Sequence, residues 1–365
     1  MKIVEIIPAL HPIGGAERLV YELIECFSKR GIDDILLISL YSHQDNKIVE
    51  EIKKIKNVKI VFLEKKVGID FLCARKLRKV INDFKPDVVH CHLDSIVTIW
   101  LSGIYRRYKT FFTVHTIINE KTIGKRYKIK NILYKKLFSK KKITPIAISN
   151  IIRDSICTYY KLDFKMVDVV ENGVPIEKYA NTISLNEREI DFIYIGRFIA
   201  LKNPLLILKA FLELKKQNRD IKMLMIGEGS LLEKCKVFTF ENKINDNVLF
   251  TGFVNDVPYY LKKSKFLILA SSYEGNPMVV NEAIASKCYV ISTKVGGVPD
   301  IVNEKNGLLI NYSDNIVEEL TKAMAECLNK TNEINDLINQ YYSVNQHNIS
   351  IENTCLKYEN IFKEN

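Results

Sequence analysis

Glu274 and Glu282 lie eight residues apart in the stretch beginning Ser271-Ser272-Tyr273-Glu274-Gly275-Asn276-Pro277-Met278, after an apolar run that reads as a strand. Asn276 then suits an N-cap and Pro277 the first helical position. Glu274 falls in the loop and Glu282 inside the helix. Sugar hydroxyls donate hydrogen bonds to carboxylates so placed, and the amides of residues 276–279 would point at a phosphate or sugar. A solvated helix glutamate is the alternative for Glu282. A second turn carries Gly196-Arg197, with Lys202 five positions later. Arg forms a bidentate clamp on a diphosphate and Lys supplies a point charge; an ordinary solvated pair is the alternative. A third turn, Gly14-Gly15-Ala16-Glu17, lacks the last glycine of the dinucleotide fingerprint, and Asp33 and Asp34 precede the next strand rather than end it. Taken alone it fits a tight turn equally well.

The histidines are ambiguous by themselves. His115 ends the run Thr110–Val114 and could be structural or face a ligand. His90 and His92 flank Cys91 and share one strand face, but two ligands are too few for a metal, so the structural reading is adopted. The eight cysteines are scattered with no close pair, which suits reduced, partly buried thiols.

The elements that must position these residues alternate between short β-rich runs and helical patterns, the signature of parallel sheets in an α/β fold. Strands are expected at Lys2–Pro8, Ile35–Ser39, Lys59–Leu63, Asp87–Cys91, Thr110–Val114, Ile146–Ile148 and Met166–Val170. The pattern then restarts at Ile190–Ile195, Lys222–Ile226, Val248–Thr251, Phe266–Ala270, Tyr289–Ser292 and Gly307–Ile310. A turn-rich link near Asn172-Gly173-Val174-Pro175 separates the two halves. The expectation is two doubly wound, Rossmann-like domains, 1–172 and 173–345, facing each other across a cleft. Residues 346–365 form a C-terminal helix whose apolar Ile351, Leu356, Tyr358, Ile361 and Phe362 require a partner surface.

The ordered set of motifs resembles the retaining glycosyltransferases of family 4, which have the GT-B fold. Glu274-Gly275-Asn276-Pro277-Met278-Val279-Val280-Asn281-Glu282-Ala283 is similar to their E-x7-E motif. Asn172-Gly173-Val174, Gly196-Arg197-Phe198 with Lys202, Gly227-Glu228-Gly229 and Gly296-Gly297-Val298-Pro299-Asp300 resemble further signposts in the family's order, and Gly14-Gly15-Ala16-Glu17-Arg18 its N-terminal turn. The resemblance implies that Arg197 and Lys202 neutralise the donor diphosphate and that Glu282 holds the ribose. It places Glu274 at the transferred sugar, His115 near that sugar, and Gly15, Gly275, Asn276, Pro277, Met278 and Val279 around sugar or phosphate. It also implies a C-terminal helix returning to the first domain. Asn281 departs from the usual apolar residue, and Asn276 from an aromatic or small one. The function expected is transfer of a hexose or N-acetylhexosamine from a nucleotide sugar, a UDP-sugar foremost, to a lipid-linked or surface-polysaccharide glycan precursor. A GT-B sugar-nucleotide epimerase is the alternative. No Asp-x-Asp triplet is present, so neither metal nor cofactor is expected; the basic pair takes the metal's place.

Charge adds a partner. Residues 1–180 carry 33 Lys and Arg against 20 Asp and Glu, whereas 181–365 carry 21 against 23. Between Ile104 and Lys142 thirteen basic residues face the single acid Glu120. Interleaved Ile123, Tyr127, Ile132, Leu133, Leu137 and Phe138 are expected to face the core, leaving a basic outer surface. No recognition motif supports nucleic acid. An anionic membrane presenting a lipid-diphosphate-linked glycan is the expected partner. With no apolar run near the roughly 18 residues of a membrane span, the expected location is cytoplasmic, peripheral on the inner face of the membrane.

Overall fold

The computed structural model describes residues 1–11, 14–32, 34–41, 47–118, 128–181, 183–217 and 220–364, with backbone only at 128 and 129. Asp33, Glu120, Ile123 and Tyr127 of the foregoing reading lie outside the described residues. The chain divides into two compact units, Met1–Gly173 with Ile351–Asn365, and Val174–Ser350.

In the first unit the strands are β1 (Lys2–Ile7), β2 (Asp34–Ser39), β3 (Val58–Phe62), β4 (Val88–His92), β5 (Lys109–Val114), β6 (Thr144–Ala147) and β7 (Asp168–Val169). They form one parallel sheet in the order β3-β2-β1-β4-β5-β6-β7. The second unit holds β8 (Ile190–Ile195), β9 (Met223–Ile226), β10 (Val248–Gly252), β11 (Ser264–Leu269), β12 (Tyr289–Thr293) and β13 (Gly307–Ile310), ordered β10-β9-β8-β11-β12-β13 and again parallel. Strands such as Met223–Ile226 read as unbroken apolar runs because helices cover both faces of a parallel sheet. In each sheet the strand order reverses beside the first strand of the unit, between β1 and β4 and between β8 and β11.

Strand ends shift from expectation by a residue or two, as in β6, expected at Ile146–Ile148 and found at Thr144–Ala147. The run Met166–Val170 shortens to Asp168–Val169, because the Asp163 side chain accepts from the Lys165 amide and closes a 3-10 turn over Phe164–Met166. The strand expected at Phe266–Ala270 begins at Ser264, which pairs with Ile190 of β8.

The helix Ile351–Glu364 belongs to the first unit and lies against the helix Gly15–Lys29. Its buried face is Ile351, Thr354, Cys355, Tyr358, Glu359 and Phe362. Leu356, expected to need a partner, is 40% exposed. The Phe362 ring lies 4.8 Å from Phe111, 5.4 Å from His90 and 6.3 Å from Phe27. Arg30 reaches Glu359 at 2.6 Å, and the Thr354 hydroxyl donates to the Glu171 carbonyl at 2.9 Å. All eight cysteines are free and buried.

In the helix Lys128–Ser139, Leu137 and Phe138 are buried, but Ile132 is 68% exposed rather than core-facing. Lys135, Lys136, Lys140, Lys141 and Lys142 are exposed. No helix among the described residues is long and apolar enough to cross a membrane.

Phe362→Ala empties a fully enclosed aromatic site, so the first unit should lose about 3–5 kcal/mol of stability. Chemical denaturation of the full chain measures this; a loss below about 1 kcal/mol would show that the helix only rests on the surface.

Candidate active site

Where neighbouring parallel strands send their chains to opposite faces, a crevice opens beyond their carboxyl ends, and ligands bind there. In the second unit the two turns flanking that point follow β8 and β11. The turn after β8 carries Arg197 and Lys202 and is fixed at several places. The Phe198 amide donates to the Glu228 carbonyl at 2.8 Å, and the Tyr194 hydroxyl donates to the Arg197 carbonyl at 2.8 Å. Gly227, at φ +131°, leaves no room for a side chain: a Cβ there would stand 2.0 Å from the Gly196 carbonyl oxygen. Asn203, left-handed at φ 49°, opens the helix Pro204–Lys215, and its amide group donates to the Ala270 carbonyl at 3.0 Å. The Ser272 amide donates to the Leu201 carbonyl at 2.9 Å, tying the two turns together.

The loop after β11 presents Glu274. Lys202 Nζ sits 2.6 Å from both of its carboxylate oxygens, and the Ser271 hydroxyl donates to Oε1 at 2.6 Å. The pair is mostly enclosed, with side-chain exposures of 19% for Lys202 and 7% for Glu274. Gly296, at φ +54°, passes so close that a Cβ would lie 1.7 Å from the Glu274 carbonyl oxygen. The helix runs Met278–Ala285 with Pro277 as its N-cap, because Pro277 is extended (ψ 110°); this corrects the expectation of Asn276 as cap and Pro277 as first helical residue. Gly275 and Val279 are half-buried; Asn276, Pro277 and Met278 are buried, and Glu282 is buried inside the helix. Arg197 is exposed and forms no ion pair among the described residues. The structure thus joins Lys202 to Glu274 directly and leaves the Arg197 guanidinium open to solvent.

Gly15 and His115 belong to the first unit. Gly15 opens its helix behind the N-cap Gly14. His115 follows β5, and its Nε2 lies 3.1 Å from His92 Nδ1. His90 and His92 have a third companion that the sequence did not reveal. Glu5, on β1, lies 2.9 Å from His92 Nε2 and 3.1 Å from His90 Nδ1. The three offer ligand atoms within 4.8 Å of one another, yet each of those atoms is taken up in a hydrogen bond inside the set. His90 Nε2 continues to Thr113 Oγ1 at 2.7 Å, and that oxygen to the Tyr358 hydroxyl at 3.1 Å. Burial pushes the Glu5 carboxyl up, but the charge of His90 and the hydrogen bonds of both rings outweigh it and hold it at about 2. Burial, then His90, lowers His92 to about 4 against the pull of Glu5. Burial, then His92 and His90, puts His115 well below its usual range. Beside His115 lies a cavity of about 340 Å³ with Phe112, Tyr134 and Tyr160 in its wall and the ion pair Lys130–Asp94 at 2.6 Å.

Two family models match the chain: Glycosyltransferase Family 4 over residues 13–178 and Glycosyl transferases group 1 over residues 175–344. The chain belongs to glycosyltransferase family 4. Among relatives of this glycosyltransferase, an Escherichia coli UDP-Gal:alpha-D-GlcNAc-diphosphoundecaprenol alpha-1,3-galactosyltransferase is 29% identical across 65% of this chain and 66% of the relative. A Campylobacter jejuni GalNAc-alpha-(1->4)-GalNAc-alpha-(1->3)-diNAcBac-PP-undecaprenol alpha-1,4-N-acetyl-D-galactosaminyltransferase is 27% identical across 93% of this chain and 92% of the relative. The crystal structure of Anabaena HepE with UDP and glucose matches with a TM-score of 0.82 at 14% identity, covering 100% of both chains. WaaG, a glycosyltransferase involved in lipopolysaccharide biosynthesis, matches at 0.76 and 13% over 99% of both. These likenesses establish the GT-B fold.

The buried cluster makes the stability of this glycosyltransferase depend on pH. His92, His115 and Glu5 all have folded pKa values below their usual ones, so the unfolded chain binds more protons. Folded stability is highest above about pH 6.5; it falls first as the unfolded chain protonates histidines that burial keeps neutral in the folded chain, His92 down to about pH 4 and His115 in the same direction, and then as Glu5 is protonated toward pH 2. Urea unfolding at pH 7.5, 6 and 4.5, conditions spanning that range, should show proton uptake on unfolding that grows as pH falls. Equal stability at all three would contradict the assignment.

Proposed function

We propose that the chain transfers a sugar, with retention of anomeric configuration, from a UDP-sugar to a lipid-diphosphate-linked glycan, without a metal. The observation that carries this is the Lys202 ammonium clamped on both oxygens of Glu274 beside an open Arg197, at the topological switch point of the second unit. Relatives whose names specify UDP-Gal and undecaprenyl-diphosphate acceptors support the substrate classes. In this reading the bond between the anomeric carbon and the β-phosphate oxygen breaks while the acceptor oxygen attacks from the same face. The acceptor proton passes to the departing phosphate oxygen. Arg197 and Lys202 stabilise the charge developing on the diphosphate, preorganised as an oxyanion site is. Glu274 receives hydrogen bonds from the transferred sugar's hydroxyls, and Glu282 from the ribose.

Arg197→Ala removes an exposed charge that supports no other group, so transfer should fall about 10²–10³-fold with melting unchanged. Glu274→Gln keeps the Ser271 bond and the shape of the loop, and should lose rate similarly. Release of UDP from a panel of UDP- and GDP-sugars, with a polyprenyl-diphosphate glycan as acceptor, measures both. Near-wild-type rates in either variant, or activity abolished by EDTA and restored by Mg²⁺ or Mn²⁺, would overturn the scheme.

The acceptor's lipid requires a bilayer, and the first unit offers a surface suited to one. Val67, Ile69, Phe71 and Leu72 are 97%, 69%, 71% and 62% exposed at the start of the helix Phe71–Phe84. Asp70 caps that helix by accepting from the Cys73 amide at 2.9 Å and also accepts from the Lys66 amide at 2.8 Å, which ties down the short segment bearing the four side chains. Lys66, Arg75, Lys76 and Lys79 stand exposed around them. Apolar side chains enter the lipid boundary while each lysine or arginine near an anionic surface adds about 1 kcal/mol. This surface, together with the exposed lysines of 135–142, is proposed to dock peripherally. Cosedimentation should show binding to anionic vesicles that weakens with salt and is lost in Phe71→Asp/Leu72→Asp. Equal binding to neutral vesicles, or an unaffected double variant, would remove the proposal.

A further inference from the structure

The Glu5–His92–His115 chain has no part in the scheme above, yet it runs from the fully buried centre of the first sheet to the wall of the 340 Å³ cavity. Glu5 stands on β1 and His92 on β4, the two strands that flank the switch point of that sheet. A carboxylate only accepts hydrogen bonds, so both ring nitrogens facing Glu5, His90 Nδ1 and His92 Nε2, must carry hydrogens. A neutral imidazole has one N–H, which leaves His92 Nδ1 bare. His92 Nδ1 is 3.1 Å from His115 Nε2, so the hydrogen between them belongs to His115. The remaining nitrogen of His115, Nδ1, is then an acceptor, and it has no hydrogen-bond partner among the described residues.

We infer that Glu5, acting through His92, locks His115 in its Nε2–H tautomer, so that Nδ1 accepts a hydrogen bond from a sugar hydroxyl bound at the cavity wall. Glu5 and His92 are positioning residues; neither reaches the ligand. Other groups facing the chain favour the same assignment. His90 is occupied by Glu5 and Thr113, and Tyr358 of the C-terminal helix ends the second branch at Thr113. Asp94 and Lys130, also in the cavity wall, are paired with each other. The low proton affinity of His92 and His115 keeps both rings neutral near pH 7, as the tautomer argument requires. An imidazole free to exchange tautomers would offer a sugar hydroxyl a donor as often as an acceptor, and a wrong tautomer is costly even when the ring stays in place.

The part concerning a sugar rests on the function proposed above; the tautomer does not. Long-range ¹H–¹⁵N correlation on the full chain labelled with ¹⁵N-histidine distinguishes protonated from bare ring nitrogens, and six histidines give a resolvable spectrum. His115→Gln and His92→Asn assign the signals. The expected result in the unaltered protein at pH 7 is one His115 tautomer, protonated at Nε2 and bare at Nδ1. A His115 protonated at Nδ1, or exchanging between both forms, overturns the inference whether or not any variant folds. His92→Asn keeps an acceptor where Nδ1 stood, whereas His92→Leu does not. The Asn variant should therefore hold the tautomer and retain more of kcat, and the Leu variant should lose both. For Glu5→Gln the expectation is a mixed His115 tautomer, with kcat down by roughly tenfold or more and donor KM changed less. A tautomer unmoved by Glu5→Gln and His92→Leu would overturn the relay. Absence of any sugar transfer, with the tautomer as stated, would instead count against the function proposed above.

Discussion

A strand in a parallel sheet cannot return to its neighbour through a tight turn; it must cross over, and every crossover leaves from the same edge. All strands in both sheets of this chain are under that constraint. The segments after β8 and β11 therefore emerge side by side and are bonded to one another through Ser272 and Asn203. Lys202 and Glu274, 72 positions apart in the chain, meet because the sheet order places β8 and β11 next to each other. The first sheet repeats the arrangement with β1 and β4, and there it brings a carboxylate and two imidazoles together in the interior.

The two charge clusters solve different problems. A lysine on a four-carbon stem is mobile in water, and its contact with Glu274 and, through that carboxylate, Ser271 orders it before any ligand arrives. Glu5 has no solvent at all, and an unpaired carboxylate so deep would be protonated. Its two imidazole partners keep it ionised, and because it is ionised it dictates where their hydrogens go. One cluster arranges a charge for use at a surface, and the other arranges hydrogen-bond polarity at a distance.

What the sequence made legible follows the range of the signal. Arg197, Lys202, Glu274 and Glu282 stood out because each sits in a short motif at a strand-to-helix turn, and strand-bounding runs such as Ile190–Ile195 were complete in themselves. Glu5 did not stand out. It interrupts an apolar run in a strand buried on both faces, and its partner lies 85 positions away, so no local period connects them. His90 and His92 were placed on a shared face, but the third member of their set comes from the neighbouring strand. The N-cap moved from Asn276 to Pro277 because residue type bears on helix starts only to within a position or so. Hydrophobicity alone could not separate Leu137, which is buried, from Ile132, Phe71 or Leu72, which face solvent; tertiary packing decides that.

The chain passes between the two units twice, at Gly173–Val174 and again at Ser350–Ile351, and the second unit begins and ends at neighbouring points, where Val174 bridges Ser350 and its amide donates to the Ile349 carbonyl at 2.9 Å. In vectorial terms the second unit is an insertion. On a ribosome, residues 174–350 can emerge and fold while the first unit still lacks the helix that covers Phe27, Phe111 and His90. At about 5–20 residues per second that interval is roughly ten to thirty seconds. During it Phe27, Phe111 and His90 lack the cover that Phe362 supplies, so the first unit is complete only once the segment beginning at Ile351 has emerged.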